Sequence, residues 1–349
     1  GDGDGPVQFV RRSVRRAQWE AGGDDATHEV LKFPRLGQLG DILQQRGAKG
    51  APALQNGAIP HTFIERFRAA LSALGDCDDV STIVHQLRET KSSWELEQMS
   101  IAADIQLMMF DAVTEIGGEG VTELELAAAA ESVSRASGYG GDVQLRRFPM
   151  QCDLGVVVAG RAGGIPSFFD AAVGGTGAHP MAPLGAGFTR VKKGEPVLVD
   201  LLHLHRGYTV DMTRMFVAGS FTKIWEERLE DMLAVKDVVV DVLHQGRTCA
   251  EAWIEGQSLA IELGYGDNLM GMQPDQSEFL GHSLGLELDE SPVVAAAFDR
   301  PLPEGGTMAI EPKVVYSEGS IGSEDTWVRT EGGMQPITAG AAFPWVTEW

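Results

Sequence analysis

The chain has 349 residues, 43% of them hydrophobic and 22% charged, with a formal net charge of −22. That length exceeds what one hydrophobic core comfortably fills, so two domains are expected. The acid is spread along the chain, and such a surface repels phosphate backbones and anionic lipid, which argues against nucleic acid and membrane as partners.

The N-terminus, GDGDGPVQFVRRS, has no basic-then-apolar signal pattern. It lacks a starting Met and enters the strand-like VQFV almost at once, so an earlier segment of the first domain is expected to be missing. Residues 1–88 mix short apolar runs, VQFV and VSTIV, with loops rich in Gly, Asp and Pro, and a helix is expected over residues 61–74. The texture changes after Arg88, which places the domain boundary there: 1–88, then 89–349. Ser92 and Glu95 form a capping box ahead of a long periodic run. Ile105, Met108, Ala112 and Ile116 share one face of that helix, and Gly117-Gly118 ends it. Thr122 with Glu125 caps a second helix that stops near Gly138.

QCDLGVVVAG reads as a buried strand, followed by a Gly-rich stretch over residues 160–187, long enough to suggest a functional loop. VLVDLLHLHRGYTVDMTRMFVAG reads as a hairpin turning around His205-Arg206-Gly207. Helices follow over residues 222–244 and 249–263, and the last third returns to strands in SLGLEL, TMAIEPKVVY and EDTWVRT. Cys77, Cys152 and Cys249 are odd in number and far apart, which fits neither a disulfide framework nor a CxxC metal knuckle and suits a reducing cytoplasm. No apolar run approaches the roughly 20 residues that span a bilayer.

The chemistry gathers in the hairpin. A two-residue turn at His205-Arg206 would set Asp200 directly opposite Asp211, with Cβ atoms about 4.5–5.5 Å apart. Two carboxylates among Val, Leu and Met then need a cation or a proton between them, unless both point to solvent. His282 stands at the mouth of a strand in GHSLGLELDESP. Glu311 ends the apolar run TMAI before Pro312, and Glu324 precedes TWVRT. Four carboxylates and one imidazole at strand edges suit manganese, iron, cobalt or zinc better than a thiolate-bound metal. His203 and His205 resemble an HxH metal pair, but the tip of a hairpin is exposed, and solvent is the expected environment.

The order Asp…Asp…His…Glu…Glu in VLVDLLHLHRGYTVDMTRMF, GHSLGLELDE, AIEPKVV and SEDTWVRTEGG resembles the peptidase M24 group of methionine aminopeptidase, prolidase, aminopeptidase P and creatinase. The resemblance runs from about Lys91, in KSSWELEQM, to the C-terminus. Residues 1–88 resemble a shortened form of the extra N-terminal domain of the prolidase and creatinase branch. The resemblance implies an α+β pita-bread fold with a smaller, truncated α/β N-terminal domain. It implies two divalent ions, manganese first and cobalt, iron or zinc as alternatives. Asp200 would chelate one ion, Asp211 and Glu324 would bridge both, and His282 and Glu311 would complete the other. It further implies a cytoplasmic homodimer that cleaves Xaa-Pro bonds in short peptides with a shared, metal-activated water, Glu311 moving the proton.

Three positions depart from the peptidase pattern. Asp289 stands where the family has a second catalytic His. His179, in GTGAHPMAP, is the nearest candidate for its upstream substrate-side His. Gly322 replaces an Arg common in the proline-cutting branch. An intact set of metal ligands with altered substrate contacts also admits a non-peptidase on the same scaffold. The alternatives are a β-elimination lyase of the dimethylsulfoniopropionate type, with Asp289 as base, and a creatinase-like amidinohydrolase. A metal-free interaction module is disfavoured by the retention of all five ligand types.

Overall fold

Capped periodic helices and alternating strands both form in the computed structural model of the chain, which describes residues 6–139, 143–145, 151–152 and 154–349. The chain divides into two units, Gly1–Leu87 and Arg88–Trp349. The first pairs strand Val7–Val10 in parallel with Glu29–Lys32, and Ala53–Leu54 in parallel with Asp78–Asp79. Its helix His61–Leu71 runs on into a 3-10 turn, Ser72–Leu74. The apolar run VSTIV opens a helix, Ser81–Glu89.

In the second unit, helix Ser93–Ile116 begins at a capping box in which Ser92 and Glu95 satisfy each other's backbone donors. Thr122 with Glu125 and Thr248 with Glu251 do the same for helices Glu123–Ala136 and Cys249–Glu262. The face expected to be buried on the first of these is corrected. Met99, Ala102, Met109, Phe110 and Val113 are buried, whereas Met108 and Ile116 are 53% and 41% exposed. This helix is apolar on more than one side, so spacing alone selected the wrong stripe. Phe110 decides the orientation by stacking on Phe216, ring centroids 6.4 Å apart. Burying a side chain of this kind contributes about 1.5–3 kcal/mol.

Among the described residues, nine strands form one mixed sheet. Its main path runs Glu290–Val293, Gly281–Ser283, Thr307–Ile310, Glu324–Thr330, Tyr208–Val217, Val197–His205, Gly155–Ala159, antiparallel throughout. Gly333–Pro336 joins Glu324–Thr330 antiparallel, and Val346–Glu348 joins Tyr208–Val217 in parallel. The expected strand QCDLGVVVAG is represented by Gln151–Cys152 and Gly155–Ala159, with Asp153 outside the described residues. SLGLEL contributes only Ser283 to a strand, because the ladder shifts register between His282 and Ser283. Met212, Val199 and Leu201 pack with Phe110 and Leu126 in one core. Ile310, Met308 and Leu280 pack with the helix pair Lys223–His244 and Cys249–Glu262 in another.

The hairpin turns one residue later than expected. His205 pairs with Tyr208 around Arg206 and Gly207, at φ 49° and 90°. Positive φ at both central residues is the hairpin turn that matches strand twist, and Gly207 supplies it without a Cβ penalty. The shift pairs Asp200 with Thr213 and Leu202 with Asp211. Asp200 and Asp211 are therefore diagonal neighbours on one face, not direct opposites. His203, far from being exposed at a tip, is buried and bonds Ser134 Oγ through Nδ1 at 2.8 Å. Burial, aided by the nearby His205, pushes its pKa down to about 4, and an imidazole on this face cannot join the carboxylates.

Candidate metal centre

Residues paired across a ladder share a face, and so do residues two apart along a strand. Asp200 pairs with Thr213, and Thr213 pairs with Glu324. Ala309 pairs with His282 on one side and with Thr326 on the other. Asp211 is two residues from Thr213, Glu324 two from Thr326, and Glu311 two from Ala309. The register thus assigns Asp200, Asp211, His282, Glu311 and Glu324 to one face of the sheet, from strands far apart in sequence. The other face carries Met212 and Ile310 into the two cores.

The distances agree with that assignment. His282 Nε2 lies 3.3 Å from Glu311 Oε1, 3.9 Å from Asp211 Oδ2 and 4.0 Å from Glu324 Oε1. Asp211, His282 and Glu324 each offer a ligand atom within 4.8 Å of the others. Asp211 Oδ1 and Glu324 Oε1 are buried without a hydrogen-bond partner, which is costly unless a cation or proton completes them. The donor set fits a divalent ion at this end of the cluster.

The other end contains a group that the motif reading passed over. Lys313 Nζ donates to Glu311 Oε2 at 2.6 Å and to Glu324 Oε2 at 2.7 Å, and lies 3.4 Å from Asp200 Oδ2. Its side chain is 2% exposed. Lys313 follows Glu311 by two, so period-two alternation was the signal that could have found it. Thr213 is a second such residue, donating from Oγ1 to Glu324 Oε2 at 2.8 Å.

The electrostatics follow from crowding. Burial, then the neighbouring Glu324 and Asp200 charges, raise the Asp211 carboxyl well above its ordinary range. Burial and Glu311 push Glu324 up to about 8, with Lys313 opposing. Burial pushes Glu311 the same way, but Lys313 and His282 outweigh it and hold that carboxyl at about 2. His282 rises to about 9 because Glu311 and Glu324 outweigh the burial that disfavours its charge.

The two substrate-side candidates sit on loop segments. His179 is exposed, and its Nδ1 accepts the Met181 N–H at 3.2 Å within its own loop. No described contact brings it to the carboxylates. Asp289 is part-buried on the turn leading into strand Glu290–Val293. The adjacent Glu290 is anchored by Lys91 at 2.9 Å and Arg88 at 2.5 Å, which fixes that turn. The Gly-rich stretch is pinned at both ends by Glu123, which accepts from the Ala159 and Gly187 N–H groups at 2.6 and 2.8 Å.

Comparison with known proteins matches residues 97–331 to the model of metallopeptidase family M24. The Xaa-Pro dipeptidase of Pyrococcus furiosus is 25% identical over 338 residues, 97% of this chain and 85% of the relative. That of Lactobacillus delbrueckii subsp. lactis is 26% identical over 280 residues, 79% of this chain and 67% of the relative. An X-Pro aminopeptidase structure from Thermotoga maritima MSB8 superposes with a TM-score of 0.78 at 21% identity, covering 98% of this chain and 87% of its own. The prolidase of Pyrococcus furiosus gives a TM-score of 0.74 at 24% identity, covering 97% and 88%. The fold is the α+β pita-bread type.

Proposed function

Because the chain belongs to metallopeptidase family M24, we propose that it is a metal-dependent hydrolase cleaving the Xaa-Pro bond of short peptides. The observation that carries this reading is the buried carboxylate–imidazole cluster, with two unpartnered carboxylate oxygens, on Asp211 and Glu324. Asp211, His282 and Glu324 would hold a divalent ion, with Asp200 and Glu311 as the further ligand candidates. Carboxylates with one imidazole suit manganese, and also cobalt, iron or zinc. Bound there, a divalent ion supplies Lewis-acid polarisation of a carbonyl and lowers the pKa of water.

The protein's own groups supply the rest. Thr213 and Lys313 fix one oxygen of Glu324 and leave the other free to ligate. Glu311 is assigned the proton transfer to the leaving amine. Its contact with Lys313 makes it a weaker base than an unpaired buried carboxylate, so it holds that proton only briefly. Asp289 and His179 are assigned to the substrate side, on their positions in sequence. A cytoplasmic homodimer completes the reading. Free thiols at Cys77 and Cys249 support the compartment, and resemblance to the prolidase branch supports the dimer. Among the described residues, no helix is long and apolar enough to cross a membrane.

The test is proline release from a panel of Xaa-Pro dipeptides and tripeptides with manganese, cobalt, iron or zinc, beside sulfonium and creatine-like substrates. Asp289→Asn is expected to lower peptide turnover moderately. In a lyase, an amide at that position could not take a carbon-bound proton, and turnover would vanish with metal content unchanged. Cleavage of the sulfonium substrate with no proline released from any peptide would replace the peptidase reading by the lyase.

A further inference from the structure

The four carboxylates of the cluster are not symmetrically provided for. On one side, Asp211 Oδ1 and Glu324 Oε1 have no partner, and His282 Nε2 stands 3.9 Å from Asp211 Oδ2 and 4.0 Å from Glu324 Oε1. On the other, the Lys313 ammonium already binds Glu311 Oε2 and Glu324 Oε2 and stands 3.4 Å from Asp200 Oδ2. Carboxylate oxygens hold a divalent ion at about 2.0–2.2 Å, so an ion seated on those same oxygens would collide with the ammonium.

The lysine has little freedom to withdraw. It lies on strand Lys313–Tyr316, where its backbone pairs with Gly322. A Cβ added at Gly322 would stand 2.7 Å from both Lys313 Cα and Cγ and 2.4 Å from the Pro312 carbonyl oxygen. The lysine stem therefore occupies the space across the ladder that a side chain at 322 would need. An ammonium enclosed by three carboxylates is also strongly held, since leaving would strand both it and them in a buried site.

We propose that Lys313 takes the place of one cation, so that the protein binds a single divalent ion, between Asp211, His282 and Glu324. The proposal puts one ion where the resemblance implies two, and it rests on the metal-dependent reading above. Lys313 then serves as a built-in positive charge at Asp200, a positioning residue that also orients Glu311 and Glu324.

The test loads the full chain with manganese alone, removes free ion by gel filtration and measures metal per chain beside the electron paramagnetic resonance spectrum. The wild type is expected to carry about one manganese with the hyperfine pattern of an isolated ion, whereas Lys313→Ala should take up about two as a spin-coupled pair. Lys313→Ser is the companion variant should the alanine form not fold. Two ions in the wild type would overturn the proposal while leaving the metal-dependent reading intact, and so would one ion in both wild type and folded variants. No bound manganese in any of them would overturn both.

Discussion

Asp211→Ala and Glu324→Ala are each expected to abolish metal retention and to lower kcat/KM by more than about 10³-fold. That exceeds the cost of removing a single polarising donor, because the whole electrophilic centre is lost. The two residues provide the unpartnered buried oxygens of the cluster, and His282 alone does not hold a divalent ion. A purely structural role would show differently. Asp211 is a buried carboxyl that Glu324 and Asp200 repel, so in chelator Asp211→Asn should melt at the wild-type temperature or above it. Loss of activity without loss of stability is the mark of a functional site held against its own strain. Elemental analysis, proline release and thermal melting in chelator together check this. Retained metal with a lowered Tm would assign Asp211 to the fold.

Arg214→Met is expected to produce the largest loss of stability. Arg214 and Asp325 are both fully buried and pair at 3.0 and 3.2 Å. Arg214 also donates to the carbonyl oxygens of Thr213, Glu324 and Gly340, and Asp325 accepts from Thr338 Oγ1 and Gly340 N. Removing one partner of a buried pair costs about 3–5 kcal/mol, since the remaining charge is left without compensation. At roughly 2–4 °C per kcal/mol for a unit of this size, Tm should fall by about 6–20 °C. Arg214→Met with Asp325→Leu should recover much of the loss. The pair sits behind the metal face, on the residues next to Thr213 and Glu324, whose carbonyl oxygens Arg214 holds, so the single variant should also weaken metal binding. A Tm change within about 2 °C would show that the pair is not what fixes these strands.

Much of this site was legible because each ligand candidate ends or interrupts an apolar strand, where an uncompensated charge has no local reason to be. Capping boxes at Ser92 and Thr122 located two helix starts for the same kind of reason: a Ser or Thr with a Glu three residues on satisfies donors that nothing else nearby can reach. What was misread depended on tertiary choices. The hairpin register hinged on whether Arg206 would accept positive φ, which spacing does not reveal. The buried stripe of Ser93–Ile116 was ambiguous because Met108 and Met109 are equally apolar, and only packing against Phe216 separates them. His203 looked exposed because it is near a turn, yet the helix Glu123–Ala136 covers it through Ser134. Lys313 escaped because a lysine beside Glu and Pro ordinarily reads as solvated; its burial is set by Asp200 and Glu324, which lie on other strands.

The most direct measurement is anomalous scattering from crystals of the manganese-loaded protein, recorded on either side of the metal absorption edge. The account requires an anomalous peak within ligand distance of Asp211, His282 and Glu324. A peak coordinated by a different set of residues, or none at full manganese occupancy in solution, would contradict it.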